Sequence, residues 1–301
     1  MKTPILEKLQ NSRNVLGLIF MMPAALLLLL FLTYPLGLGV WLGFTDTKIG
    51  RAGQWIGFEN YIFLMSDSVT QLALFNTMFY TTVASVLKFF LGLWLALLLN
   101  KNIRFKSFFR AVILLPYIVP TALSAIAFWW IFDSQFSIIS WVLVKMGWID
   151  SYIDFLGDPW NARYSTIAAN IWRGIPFVAI SLLAGLQTIS PSYYEASAID
   201  GASRWQQFRH VTVPQLKETT FFVTVTTVIL ALQLFDIVYA LNQPNPVGFP
   251  NNATLTPVVY LYQLGFQQNA FGLASAVAWV LFILIFFFTL AQFRRQRAEV
   301  E

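Results

Sequence analysis

Six apolar runs of membrane-crossing length dominate the chain, at about 15–43, 73–99, 111–132, 163–187, 218–241 and 271–293. A helix rises about 1.5 Å per residue, so about 20 apolar residues cross the ~30 Å hydrocarbon core of a bilayer. Within lipid the backbone must satisfy its own N–H and C=O groups, and a helix does this inside one segment. The expected fold class is therefore all-α, a polytopic membrane protein with six transmembrane helices. Composition agrees, since 57% of residues are hydrophobic and 11% charged, against about 25% charged in soluble domains. Trp and Tyr gather near the ends of the runs, as in the aromatic belts at headgroup level. The first run holds Pro23 and Pro35 and continues past residue 32 into Thr33-Tyr34-Pro35. It is expected to be a retained span, because a secretory signal would be shorter and end in small residues.

Lys and Arg mark the side on which each loop lies, because basic residues are retained in the cytoplasm. Thirteen of the 19 fall in the N-terminus (Lys2, Lys8, Arg13), the 100–110 loop (Lys101, Arg104, Lys106, Arg110), the 188–217 loop (Arg204, Arg209, Lys217) and the tail (Arg294, Arg295, Arg297). Asp46, Glu59, Asp67, Asp133, Asp150, Asp154 and Asp158 all lie on the opposite side. Both termini are thus expected to be cytoplasmic. The chain divides into a cytoplasmic segment 1–14, a six-span domain 15–293 with a cytoplasmic loop at 188–217, and a tail 294–301. Outer loops are expected at about 44–72, 133–162 and 242–270. The net charge of +5 is then a topogenic signal, and no nucleic-acid partner is expected.

The residue inventory excludes several chemistries. There is no Cys and a single His, His210, so neither a thiolate nucleophile nor an ordinary zinc site can be built. No metal or cofactor is expected in this chain. No Gly is followed by Lys, so the phosphate-binding loop G-x-x-x-x-G-K-[ST] is absent. The chain is not expected to be an enzyme. Asp150, Asp154 and Asp158 recur every four residues but precede Pro159 on the outer side, which suits a solvated loop. Trp129-Trp130, near an outer span end, suits an aromatic belt.

The 188–217 loop carries the most local information. Ser190 followed by Pro191 fits a helix start, and Ser192-x-x-Glu195 has the form of a capping box. Gly201 can end that short helix in a left-handed conformation. Ser203 can cap a second helix, expected over 204–210, before Pro214 leads into the fifth span. A compact helix–turn–helix on the cytoplasmic surface is the expectation, and local chemistry leaves open whether it is more than a connector.

The spacing goes further. Glu195-Ala196-Ser197, three residues, Gly201, nine residues and Val211-x-Val213-Pro214 resembles the EAA loop of binding-protein-dependent ABC importers, with Ser197, Val211 and Val213 as mild departures. Phe44-Thr45-Asp46, Gly57-Phe58-Glu59-Asn60-Tyr61, Asn76-Thr77 and the 170–177 segment (Asn170-Ile171-Trp172-Arg173-Gly174-Ile175-Pro176-Phe177) extend the resemblance to the maltose-type carbohydrate permeases, in particular the maltose-F-like half of a pair. Ala240-Leu241-Asn242-Gln243-Pro244-Asn245-Pro246 departs from the Thr-x-Gly-Gly-Pro-like turn common in that family.

The resemblance implies a type I importer permease bundle in a bacterial-type inner membrane. It implies a second, related permease subunit, two ATPase subunits carrying ATP and Mg, and an extracytoplasmic substrate-binding protein. It assigns Glu195 and Gly201, flanked by Ala196, Ser197 and Asp200, to coupling with the ATPase. It also places a sugar site on the helices either side of that loop. Asn170, Gly174 and Phe177 share one helix face and offer an amide beside an aromatic ring, a pairing that suits sugars. Thr227, Gln233 and Asp236 are the polar candidates on the next span. Arg173 and Lys88 are charges within spans, functional by default unless they snorkel to an interface. Pro176 is expected to kink the fourth span. A disaccharide or short oligosaccharide of the maltose or trehalose kind is the expected cargo. Glycerol 3-phosphate is the alternative, which Arg173 and Lys88 would serve. A membrane-embedded enzyme or an ion-coupled carrier would need catalytic or acidic groups at mid-membrane, and only Asp236 comes near that.

Overall fold

The computed structural model describes residues 12–101, 104–241 and 248–298. Most of the 1–14 segment, the end of the tail and the departing turn at 242–247 lie outside the described residues. Among those described, the regular structure is helical, with two isolated β-bridges, Thr45–Trp55 and Lys48–Arg51.

Four helices are each long and apolar enough to cross a membrane. They are α1 (Arg13–Gly43), α3 (Ser68–Asn100), α7 (Pro159–Thr188) and α13 (Phe271–Ala298). The expected boundaries hold to within a few residues for the first, second, fourth and sixth runs. Helix α1 contains a π turn at Leu29–Thr33, just before Pro35. A proline has no N–H to continue the α ladder, and one widened turn absorbs the loss. The short helix α2 (Glu59–Ser66) leads into α3, whose first turn is capped by Asp67, accepting from the N–H groups of Val69 and Thr70.

The third and fifth runs are not straight spans, which corrects the sequence expectation. The third is two helices, α4 (Lys106–Ile118) and α5 (Thr121–Ile131), at 91° to one another. Pro120 supplies the cause: it pushes the preceding Val119 out of helical geometry, to φ −64° and ψ 131°. The fifth is α10 (Lys217–Leu232) and α11 (Asp236–Leu241), separated by a non-helical stretch at 233–235. The buried Thr256 hydroxyl donates to the Leu234 carbonyl at 2.8 Å, satisfying an acceptor that the break sets free. In contrast, α7 continues unbroken through Pro176.

The outer segments are more structured than loops. Helix α6 (Ile138–Lys145) precedes α7. Within 242–270, α12 (Pro257–Tyr262) is extended by a π turn at Gln263–Gln267. Hydrogen bonds gather these segments at one end of the bundle. Asn60 donates to the carbonyls of Gly43 and Thr45, the Gly272 N–H donates to Thr47, and Ser165 donates to Phe155. The 188–217 segment and the end of α3 meet at the opposite end.

The core has two parts. One lies at the outer-loop end and includes Tyr80, Ala84, Ile167, Ala169, Val238, Leu255 and Val259. The other lies at the loop 188–217 end and includes Ala96, Leu99, Val178, Leu182, Leu186 and Leu216. Along α3 and α7 the gap between them falls at 85–95 and 170–177. Outside the bundle, large apolar side chains such as Phe20, Phe31, Phe90 and Phe287 are more than 60% exposed, a surface suited to lipid and not to water.

Candidate functional site

The gap between the two cores holds a cavity of about 190 Å³. It is lined by Lys88 from α3, by Asn170, Arg173, Gly174 and Phe177 from α7, by Thr227 from α10, and by Gln233 and Asp236 at the α10–α11 break. All seven sequence-level candidates for the substrate path therefore face one space, with Lys88 as an eighth wall residue. Arg173 lies midway along the 30 residues of α7, so the cavity sits at mid-depth of the bundle. Sequence reasoning did not name Tyr117 and Thr121 for this wall, contributed by the α4–α5 bend. The available signal was Pro116 and Pro120, which flag irregular backbone in an otherwise apolar run.

Both helix breaks open onto this cavity, and that has a physical meaning. Irregular backbone at membrane depth is tolerated where it is buried in protein or lines a water-filled space. Here it does both. The Asn170 Oδ1 and the Arg173 Nε are buried and have no hydrogen-bond partner. Lys88 is 5% exposed, and neither cation pairs with a carboxylate among the described residues. Its stem lies across Gly174, where an added Cβ would come within 2.5 Å of the Lys88 Cε and 3.0 Å of its Nζ. Snorkelling to an interface is thus not what Lys88 does. Phe177 stacks on Tyr117 with centroids 6.3 Å apart and forms an aromatic wall.

Ligand clefts for small molecules usually run from about 300 Å³ upward, so this cavity is smaller than a complete one. Gln233, Asp236 and Tyr117 are exposed, leaving it open on one side. A larger hollow of about 570 Å³ lies between α3, α10 and α13, but Met78, Val86, Phe89, Phe90, Leu284 and Phe288 dominate its wall and no charged group reaches it.

The 188–217 segment forms two helices, α8 (Pro191–Ile199) and α9, which begins at Arg204–Gln207 and continues through a π turn at Phe208–Thr212 to Gln215. Pro191 opens α8, as expected. The expected Ser192–Glu195 capping box does not form; the Ser192 hydroxyl instead meets that of Ser190 at 2.8 Å, and the first turn has no side-chain cap. The capping box lies one helix later. Ser203 N–H donates to Gln206 Oε1 at 2.7 Å and Gln206 N–H donates to Ser203 Oγ at 3.4 Å. The second helix also outlasts its expected end at 210, because the π turn lets the ladder reach Pro214 without a steric break.

Gly201 sits at φ +79° and closes α8. The Ala202 N–H donates to the Ser197 carbonyl at 2.9 Å and the Gly201 N–H donates to Ala198 at 3.1 Å, the paired bonds of a Schellman motif. Tyr194 ties the two helices together through its hydroxyl on Thr212 (3.0 Å) and packs on the core beneath. Ser197 donates to the Tyr194 carbonyl. Glu195, Ala196 and Asp200 point outward, and Glu195 makes no ion pair or hydrogen bond among the described residues. The result is a braced element that presents an exposed carboxylate. Ile199 and Trp205 stand 87% and 67% exposed beside it.

Two of the three outer aspartates have local duties. Asp158 caps α7 by accepting from the N–H groups of Trp160 and Asn161, and Asp154 accepts from Gly157. Among the described residues no His, Asp and Glu group could hold a metal ion. Trp129 and Trp130 do not line the cavity.

Known proteins give this architecture its place. The sequence profile of the family described as "Binding-protein-dependent transport system inner membrane component" matches residues 88–298. The lactose transport system permease protein LacF of Rhizobium radiobacter is 34% identical over 302 residues, covering 99% of each chain. The trehalose/maltose transport system permease protein MalF of Thermococcus litoralis is 31% identical over 291 residues, covering 96% of each. A chain in the crystal structure of a bacterial alginate ABC transporter, in complex with its alginate pentasaccharide-bound periplasmic protein, shares the fold at a TM-score of 0.82, with 23% identity and 96% of each chain covered. This protein is a multi-pass membrane protein and belongs to the family of inner-membrane components of binding-protein-dependent transport systems.

Proposed function

We propose that the chain is the permease subunit of an ATP-binding-cassette importer for a sugar of disaccharide or short-oligosaccharide size. Relatives that carry lactose and trehalose or maltose support the cargo class. The observation that carries the reading is the convergence of both helix breaks, and of the unpartnered Asn170 and Arg173, on one mid-depth cavity. Such a cavity offers hydrogen bonds and an aromatic wall while keeping irregular backbone away from lipid. In this reading α4–α5 and α10–α11 are broken spans, giving six in all, with both termini in the cytoplasm.

The open side and small volume call for a second wall. A second, related permease subunit would supply it, and alternating access would follow from movement of the two bundles against each other. Two ATPase subunits, holding ATP and Mg, would provide the energy, and an extracytoplasmic binding protein would deliver the sugar. Helix α8 fits the contact with the ATPase. Tyr194 bonds to Thr212 of α9 and packs on the core that α7 and α10 share, so a push on Glu195 would reach the helices that line the cavity.

The test is ATP-driven uptake in proteoliposomes holding the whole complex with its binding protein. Glu195→Lys and Gly201→Asp are each expected to lower uptake at least a hundredfold while the permease still inserts. Normal uptake in both variants would overturn the coupling role. Gly201→Asp acts through backbone geometry, because a side chain at φ +79° is strained.

A further inference from the structure

We propose that the cargo of this permease carries an anionic substituent, a sulfonate, phosphate or carboxylate on the sugar, held by Lys88 and Arg173. This rests on the sugar-importer reading above and narrows its substrate class.

A cation inside a membrane span is costly unless something compensates it. Proteins normally provide the compensation themselves, by pairing the charge with a carboxylate or with carbonyls. At this site the chain does not. Lys88 and Arg173 project into one cavity from two helices, without an ion pair among the described residues. The Arg173 Nε is buried without an acceptor. The one acid of the wall, Asp236, is exposed at the start of α11 and beyond salt-bridge reach of both cations.

Two cations against one carboxylate leave the wall with an excess positive charge. A neutral sugar can accept hydrogen bonds from both groups but cannot neutralise that excess. A small anion can, and a guanidinium next to an ammonium is suited to its oxygen geometry. The rest of the wall still fits the sugar: Asn170 provides an unused acceptor for a hydroxyl, and Phe177 a ring to cover its C–H face. Gly174 matters because its missing side chain leaves room for the Lys88 stem to lie across α7 into the cavity.

The test uses the complete complex with its binding protein in proteoliposomes and matched pairs of probes. Glucosylglycerol is compared with its 6-sulfonated counterpart, glycerol with glycerol 3-phosphate, and trehalose, maltose and lactose serve as neutral disaccharides. The expected result is ATP-dependent uptake of at least one anionic member, at least tenfold above its neutral partner. Lys88→Met and Arg173→Gln should each reduce that preference tenfold or more, with the ATPase still copurifying. Uptake of neutral sugars alone would overturn the anionic assignment and leave the sugar-importer reading standing. Equal losses of neutral and anionic uptake in both variants would also overturn it, because a purely structural role would not discriminate. Uptake of neither class would overturn both readings.

Discussion

Helices α3 and α7 meet twice through polar side chains, and the two meetings differ in a telling way. At the outer end Asn76 faces Arg163; at mid-depth Lys88 faces Arg173, ten residues further along α7. The outer pair is fully employed. Asn76 donates to the carbonyls of Asn252 and Leu255 at 3.0 and 2.9 Å, and its Oδ1 accepts from Arg163 Nε at 3.0 Å. Arg163 also donates to the Pro159 carbonyl at 3.3 Å and lies 4.8 Å from the Trp160 ring centroid. Tyr80 donates to Ala253 on the same outer segment. The mid-depth pair has no comparable partners. Both sites bury polar groups between the same helices, yet one is closed on itself and the other keeps its bonding capacity for something else. Burial alone would rank them alike; only an account of partners separates a structural polar cluster from a site.

The sharpest way to break that contrast is to empty the outer cluster. Asn76→Ala strands two carbonyls and a guanidinium nitrogen that are now satisfied. Each buried group left without a partner costs about 1–3 kcal/mol, so a loss of about 3 kcal/mol is expected, seen as a lowered midpoint of thermal unfolding in detergent. Uptake per folded complex should stay near wild type. A stable Asn76→Ala protein would mean that the outer cluster is held by packing and that the comparison is misdrawn.

A milder intervention addresses the inner pair. Gly174→Ala should move the Lys88 stem off α7 while improving helix propensity by up to about 1 kcal/mol. The expected outcome is unchanged or higher thermal stability with uptake down about tenfold, equivalent to about 1.4 kcal/mol of transition-state stabilisation. Lower stability with normal uptake would assign Gly174 to packing alone.

How much of this could be read from the residues depends on the range of the forces involved. Where the cause is local, the sequence carries it. Gly201 stops α8 because few residues but glycine accept φ +79° without strain, and Asn170, Gly174 and Phe177 share a face because helical periodicity puts them there. Hydropathy likewise finds lengths of apolar chain. It does not find breaks inside them: Pro120 bends the third run by 91°, and the fifth opens at 233–235, where Thr256, 22 residues away, takes up the Leu234 carbonyl. The Ser192–Glu195 box failed for a related reason. Ser190 competes for the Ser192 hydroxyl, and a pattern of residue types does not record competition. That Lys88 lacks a partner was also hidden, because an unpaired charge is a property of three helices together.

The smallest effect concerns pH at the outer end. Burial pushes the Asp67 carboxyl up, but hydrogen bonds from the Thr70 side chain and N–H, Tyr260 and Val69 outweigh it, and the net direction is down. A carboxylate held lower in the folded chain than in the unfolded one contributes stability above its unfolded value of about 3.9. That contribution disappears as pH falls through the lower, folded value. Asp67→Asn keeps an amide able to cap α3 but removes the negative charge from the helix N-terminus, so it should cost about 0.5 kcal/mol near neutral pH, and the gap from wild type should shrink below about pH 4. The readout is the difference in unfolding midpoint between variant and wild type across pH, which cancels the many other carboxylates that titrate in the same range. A gap that stayed constant with pH would show that Asp67 works by shape and not by charge. The start of α3 would then be held by the geometry of the Thr70 and Tyr260 hydrogen bonds and not by the charge they surround.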